Sequence, residues 1–182
     1  MKAYRKLLSI LSLLVLLCAM LFSTACSNSE DGDIPSGMQK IVSEVNDYNL
    51  YVPKDWTVDT LQGMTSVAIG DAAKSSVSVS AIDLISVSQA SADAYWNDLR
   101  ERYEETFANW TLEEEGTETT LGDIKAYKYR FTGDVSGVTY QWMQVIGVRS
   151  GRYYTFTYTS TKDGYEENIE DVIEVLEYFE FR

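Results

Sequence analysis

Along most of this chain apolar and polar residues alternate one for one, and in two places the repeat lengthens to that of a helix. Alternation puts successive side chains on opposite faces of a strand, whereas a repeat at i, i+3 or i+4 makes one stripe of a helix. Tyr48–Val52 is a β-rich run that stops at Pro53-Lys54-Asp55, where Pro presets φ and Asp favours a turn. Trp56–Asp59 resumes as a strand, which predicts a first hairpin with Trp56 packed beneath it. Ser66–Ile69 reads as a short strand ending at Gly70-Asp71. Val77–Ile85 is longer, with Val77, Val79, Ala81 and Ile85 on one face and Ile82 and Leu84 on the other, the pattern of a central strand.

Ser91 to about Phe107 is the first helix, with Ser91 as N-cap and Asp93 in the first turn. Tyr95, Leu99, Arg102/Tyr103 and Phe107 make its apolar stripe, flanked by Trp96 and Tyr103. Strands follow: Trp110–Glu114 and Glu118–Leu121 on either side of Gly116, then a Gly122-Asp123 turn, then the alternating Ile124–Thr132. Gly133–Gly137 reads as another turn. Val138–Val148 and Tyr153–Thr159 form a hairpin around Ser150-Gly151, with Tyr154, Phe156 and Tyr158 sharing a face. Asp163 is the expected N-cap of a second helix that runs to about Glu177 and buries Ile169, Val172, Ile173 and Leu176. Tyr178–Phe181 closes the chain as a short strand or packed tail. Two amphipathic helices with an antiparallel sheet give an α+β fold, and helices on opposite faces would make it an α/β/α sandwich.

One stretch fits neither period. Lys2, Arg5 and Lys6 precede an apolar run, Leu7–Phe22, and then Ser23-Thr24-Ala25-Cys26. That order is a secretory signal peptide, and a small-residue run ending in Cys resembles the lipobox of bacterial lipoproteins. Position 23 is Ser where that pattern usually has an aliphatic residue. The resemblance implies cleavage before Cys26 and a diacylglycerol on its thiol. The alternative is a retained anchor, but the run is shorter than the ~20 residues a spanning helix needs. The organisation expected is therefore 1–25 lipoprotein signal peptide, 26–44 flexible acidic and Ser-rich tether, and 45–182 a single domain. Such a protein would be extracytoplasmic, held to the bacterial cell membrane at the cell surface through the lipid (palmitate or a similar acyl chain) on Cys26.

Composition narrows the chemistry. Removing 1–25 takes away Lys2, Arg5 and Lys6 and no acid, so the formal charge moves from −13 to −16. A chain this acidic repels nucleic acid and anionic head groups. Cys18 leaves with the apolar run and Cys26 carries the lipid, so no disulfide, thiolate metal site or Cys nucleophile is left. The chain has no histidine, which excludes His triads and His-ligated metals.

Two acidic clusters stand out: Glu113-Glu114-Glu115 with Glu118 and Asp123, and Asp163, Glu166, Glu167, Glu170 and Asp171. Grouped carboxylates can hold Ca²⁺ or Mg²⁺, which makes Glu114, Glu115, Asp163 and Glu167 the weak metal candidates. The same residues read more simply as solvated faces and, at a helix start, as complements to the dipole. Asp31-Gly32-Asp33 lacks the other ligands of a calcium loop and reads as linker. Trp96, Trp110, Trp142, Tyr140, Tyr153 and Tyr158 supply aromatic surface that could grip a sugar or a partner.

Three segments in order carry a wider resemblance: Tyr48-x-Leu50-x-Val52-Pro53-x-x-Trp56, then Leu121-Gly122-Asp123-Ile124-x-Ala126, then Tyr153-Tyr154-x-Phe156-x-Tyr158. Together they resemble the PsbP-like family, which includes photosystem II extrinsic proteins and many bacterial lipoproteins. The resemblance implies a PsbP-like α/β/α sandwich and a non-enzymatic binding or assembly domain with no cofactor. Its partner would be a protein or a cell-envelope component. The alternative function is a small-ligand or divalent-cation binding lipoprotein.

Overall fold

The computed structural model of this protein describes residues 34–42, 47–61, 64–70, 75–84 and 91–182. The expected signal peptide, Cys26 and Asp31-Gly32-Asp33 lie outside them. The strands are β1 (Met38–Val42), β2 (Tyr48–Pro53), β3 (Thr57–Leu61), β4 (Met64–Ile69) and β5 (Ser75–Asp83). Helix α1 (Ala92–Thr106) follows, then β6 (Ala108–Leu121), β7 (Ile124–Val135), β8 (Val138–Arg149) and β9 (Arg152–Thr161). A 3₁₀ turn at Lys162–Gly164 leads into α2 (Tyr165–Glu177), and β10 (Glu180–Phe181) ends the chain.

Seven strands form one antiparallel sheet in the order β3-β4-β5-β9-β8-β7-β6, and β1-β2-β10 form a small second sheet. One face of the large sheet packs against α2 and the small sheet. Leu50, Val52, Trp56, Val77, Val79, Val145, Tyr154, Phe156, Tyr158, Val172 and Val175 meet there, all buried. The other face carries a second core under α1, built on Trp96, Tyr129, Phe131 and Ile146. The alternation along β9 explains the division: Tyr154, Phe156 and Tyr158 enter the first core while Tyr153 stacks on Tyr95 of α1, ring centroids 4.2 Å apart. This is the α+β sandwich expected from the periodicity.

Several local readings hold. Ser91 caps α1, its hydroxyl accepting from the Ala94 amide at 3.1 Å. Ser150 and Gly151 turn the β8–β9 hairpin with φ of 50° and 78°, as a tight two-residue turn requires. Trp56 is 5% exposed, in the first core.

Others are corrected. β2 and β3 are not a hairpin: β2 pairs with β1 and β10, whereas β3 pairs with β4 in the large sheet. The Pro53–Trp56 turn still forms, with the Trp56 amide bonded to Pro53 O at 3.1 Å, but it passes the chain between sheets. Met38–Val42, within the stretch expected to be tether, is a strand paired along its length with β2. Gln39 fastens this start by donating to the carbonyls of Pro53 and Trp56 at 3.1 and 2.9 Å. Around Gly116 one long strand replaces the two expected. Its φ of 65° and the register shifts beside it bulge β6 without breaking it. β5 lies inside the sheet, as predicted, yet Ile82 is exposed.

On α1 the buried centre is Trp96, 2% exposed, and Tyr95, Leu99 and Tyr103 flank it. On α2 the buried residues are Tyr165, Val172 and Val175, and Ile173 points outward at 45% exposure. Asp163 caps nothing: Thr161 accepts from the Gly164 amide at 3.3 Å, and α2 begins at Tyr165.

Candidate functional site

Past the C-terminal end of α1 the second core continues outward along the β7–β8 hairpin. In that hairpin Phe131 faces Trp142, Gly133 faces Tyr140 and Val135 faces Val138. Residues directly opposed across a ladder share a face, and i, i+2 positions along each strand share it too. All six therefore lie on the α1 side of the sheet. Phe131 is buried, Trp142 and Tyr140 are half-buried, and Val135 and Val138 are 39% and 44% exposed.

Phe107, the residue that ends α1, lies over this stripe. Its ring stacks on Trp142, centroids 4.7 Å apart and planes within 13°. Trp142 also stacks on Phe131 at 5.2 Å and meets Tyr140 at 5.8 Å. The close approach depends on Gly133, where a Cβ would stand 2.7 Å from the Phe107 Cβ. Gly133 is thus a strand residue that makes room for a ring, and not part of a turn as its sequence suggests. The turn itself is Ser136-Gly137, with φ of 52° and 81°.

The surroundings are short of charge. From Phe131 to Val148 the one charged residue is Asp134, and Tyr153–Thr161 of β9 has none. β9 places Thr159 beside Trp142 and Thr161 beside Tyr140. Asp134 accepts from Thr139 Oγ1 at 2.7 Å and from Asn109 Nδ2 at 2.6 Å. Those two bonds, the Thr139 one first, hold its carboxyl below the usual range. Asn109 is the second residue of β6, so the pair ties the start of that strand to the hairpin.

The first acidic cluster is engaged in ion pairs. Glu114 pairs with Lys128 at 3.2 Å, Glu115 with Arg100 at 3.1 Å, Glu118 with Lys125 at 2.7 Å and Glu113 with Arg130 at 3.4 Å. Asp163 and Glu167 are exposed. Among the described residues no group of three or more acidic, His or Cys side chains is placed to hold a metal ion.

Of the aromatic candidates, Tyr158 belongs to the first core, where its hydroxyl donates to Tyr165 O at 2.9 Å. Trp96 is sealed under α1 against Tyr129, 4.1 Å between centroids, and the Tyr129 hydroxyl donates to Asp93 at 3.1 Å. Burial, and then that hydrogen bond, pushes the Tyr129 hydroxyl upward. Tyr153 is buried against Tyr95, and Trp110 is half-buried under Arg100. Tyr140 and Trp142 reach solvent in the apolar stripe. The sequence reading missed Val135 and Val138. The signal was present in the alternation Phe131, Gly133, Val135 and Val138, Tyr140, Trp142, once the turn is set at 136–137.

No family model and no curated protein matches this chain. Solved structures do match in fold. Cyanobacterial PsbP (CyanoP) from Synechocystis superposes with a TM-score of 0.62 at 11% identity, over 86% of this chain and 98% of that one. A protein of unknown function from Pseudomonas aeruginosa gives 0.54 at 17% identity, over 78% and 94%. The Ran-binding protein Mog1p of Saccharomyces cerevisiae gives 0.54 at 9%, over 79% and 95%. The fold is the PsbP-like α+β sandwich, found here in chains of 9 to 17% sequence identity to this one.

Proposed function

We propose that this chain is an extracytoplasmic lipoprotein, anchored through Cys26, whose PsbP-like domain is a non-enzymatic binding or assembly module for a protein or cell-envelope partner. The observation that carries the binding role is the half-exposed stripe Phe107, Trp142, Tyr140, Val138 and Val135. Isolated exposed apolar residues need no explanation, but a contiguous aromatic and aliphatic patch marks an interaction surface. Aromatic rings at the centre of such a patch are the usual energetic anchors of an interface. That Mog1p, a Ran-binding protein, shares the fold supports a scaffold able to bind macromolecules.

The lipid anchor rests on the sequence Ser23-Thr24-Ala25-Cys26. Cys26→Ala should abolish incorporation of labelled fatty acid in the native host; a wild-type chain that takes up none would overturn the anchor. The binding face is tested by p-benzoylphenylalanine placed at position 138 or at position 173 of the full chain, followed by irradiation of intact cells. Ile173 is the control because it is equally exposed on α2, which packs against the opposite face of the sheet. A discrete adduct at 138 and not at 173 is expected. Adducts at 173 alone, or identical patterns at both positions, would remove the hairpin face as the binding surface.

A further inference from the structure

We propose that the tip of the β7–β8 hairpin dips into the head-group layer of the membrane that holds the lipid on Cys26, with Val135, Val138 and the edges of Tyr140 and Trp142 as the inserted groups. This rests on the anchor and the binding role proposed above, and it names the bilayer surface as the occupant of that face. The first observation is where the chain enters the sheets. Met38 pairs with Pro53, and the Lys54 amide donates to Gly37 O at 3.1 Å, so Gly37 lies at the Pro53–Trp56 turn. The next residue, Thr57, begins a row that crosses the large sheet: Thr57 faces Ala68, Ala68 faces Ser76, Ser76 faces Thr159 and Thr159 faces Trp142. Steps of about 4.5–5.5 Å put Trp142 within about 22 Å of Thr57. Cys26 is eight positions before Ile34, a span of at most about 29 Å when fully extended. A lipid on Cys26 therefore keeps the stripe's end of the sheet within reach of the bilayer. The Ser150-Gly151 end lies about 30 Å beyond Trp142 along β8, so it could meet the surface head-on only with the tether drawn to its limit.

The second observation is the chemistry of the tip. Phe107 and Phe131 both stack on Trp142, so its ring faces are taken and the stripe offers ring edges and valine methyls. Such a surface has no slot for a shaped side chain, but a fluid interface needs none. Trp and Tyr, each with an apolar body and a polar tip, are the residues enriched where hydrocarbon meets water. Val135 and Val138, on either side of the Ser136-Gly137 turn, are exposed, and no charged residue occurs from Val135 to Val148. The nearest, Asp134, is held to Thr139 and Asn109. Around this end charges alternate in sign along the sequence: Lys54 beside Asp55, Lys162 beside Asp163, and Arg102 one turn before Glu105. The acid excess of the chain is therefore not gathered at the tip, and a zwitterionic surface meets no strong repulsion there. The affinity required is small, because the lipid on Cys26 already holds the tip at high local concentration.

The test uses the protein matured and acylated in its native host and reconstituted in phosphatidylcholine vesicles. Val138→Cys or Ile82→Cys supplies one thiol for the environment-sensitive dye NBD, since the chain's other cysteines are Cys18, in the signal peptide, and the acylated Cys26. Ile82 is the control: it is as exposed as Val138, at 46% against 44%, but it pairs with Tyr153 near the Ser150-Gly151 end. Blue-shifted emission at 138, and several-fold stronger quenching there by a nitroxide lipid than at 82, are expected. Adding Val135→Asp to the 138 variant, with circular dichroism unchanged, should return the dye to aqueous emission. Aqueous emission at both positions, together with a protein adduct from the crosslink at 138, overturns the bilayer inference and leaves the binding face standing. A shift at 82 as large as at 138, or one at 138 that survives Val135→Asp, overturns the inference as well. Aqueous emission at both positions with no adduct at 138 overturns both readings.

Discussion

Replacing Gly133 by Ala tests whether the ring stack at the end of α1 depends on a missing side chain. The new Cβ would stand 2.7 Å from the Cβ of Phe107 and 3.3 Å from its Cγ. Carbon atoms in good contact lie about 3.5–4.0 Å apart, so the shortfall is close to 1 Å. The obstructing atoms belong to the root of Phe107, which is fixed by its amide bonded to Tyr103 O at 2.9 Å, so the helix end has to move. Overpacking of this kind costs about 1–3 kcal/mol. Ala in place of a strand Gly returns roughly 0.5–1 kcal/mol through the unfolded chain. The net loss centres on about 1 kcal/mol within a span of about 0–2.5 kcal/mol, or a fall in Tm of roughly 2–4 °C at the centre for a domain of this size. Gly147 is the internal control. A Cβ there also meets an atom at 2.7 Å, but that atom is Cδ1 of Ile124, a terminal methyl that can swing aside. Gly147→Ala should therefore be near neutral. Urea titration of both variants, and of Gly133→Ala made in a Phe107→Ala background, measures the difference and its source. The reasoning fails if Gly133→Ala is at least as stable as Gly147→Ala, or if its cost persists once Phe107 is gone.

Three further outcomes are expected. Trp56→Ala should cost about 3–5 kcal/mol, the range for a buried large aromatic, and a loss under about 0.5 kcal/mol in denaturant titration would contradict its place in the core. Glu180 accepts from Tyr51 Oη and Asn49 Nδ2, both at 2.6 Å, and these bonds hold its carboxyl below the ordinary value of 4.5. Its folded state therefore binds a proton less readily than its unfolded state, so its stabilisation is present above about pH 4.5 and is lost as pH falls through the lowered value. Glu180→Gln should flatten that part of the stability profile, and an unchanged slope below pH 4.5 would show that the bonds do not form in solution. Calcium at about 1 mM, the scale of weak extracellular sites, should leave Tm nearly unchanged. A saturable rise of several degrees, removed by neutralising Glu114 and Glu115 or Asp163 and Glu167, would overturn the partner-binding reading in favour of the cation-binding alternative.

What could be read from the sequence was local, because its causes are local. The Ser91 cap, the Ser150-Gly151 turn and the Tyr154, Phe156, Tyr158 face each depend on a few neighbouring residues. The partner of β2 does not. The turn at Pro53 reports that the chain reverses, but β2 is completed by β10, whose Glu180 meets Asn49 from 131 positions away. The rotation of α2 was also beyond reach. Ile169, Val172, Ile173 and Leu176 satisfy a helical repeat as well as the observed set does. The sheet chooses between them by receiving Tyr165 and Val175 and leaving Ile173 in water. At the candidate site the aromatic residues were legible by type, while their exposure was not. Tyr140 and Tyr158 look alike in sequence and end at the surface and in the core, because one lies near a hairpin tip and the other in the middle strand of the sheet.

Placing two cores on opposite sides of one sheet makes the fold's resistance to opening unequal. The core beneath α2 is assembled from fully buried residues of both sheets, whereas that under α1 draws on half-exposed rings such as Tyr95, Tyr103, Phe107 and Trp142. A helix held by partly wet contacts can lift while the sheet below it stays paired, so α1 is the natural unit of sub-global opening. Its amides should exchange with deuterium well before those of β8 and β9, which are hydrogen-bonded on both edges in the interior of the sheet. A partner seated on Phe107 and Trp142 would press on the very contacts that hold α1 down. Occupancy of the hairpin face would then be reported along the whole helix as slowed exchange, as far as Ser91 at its other end.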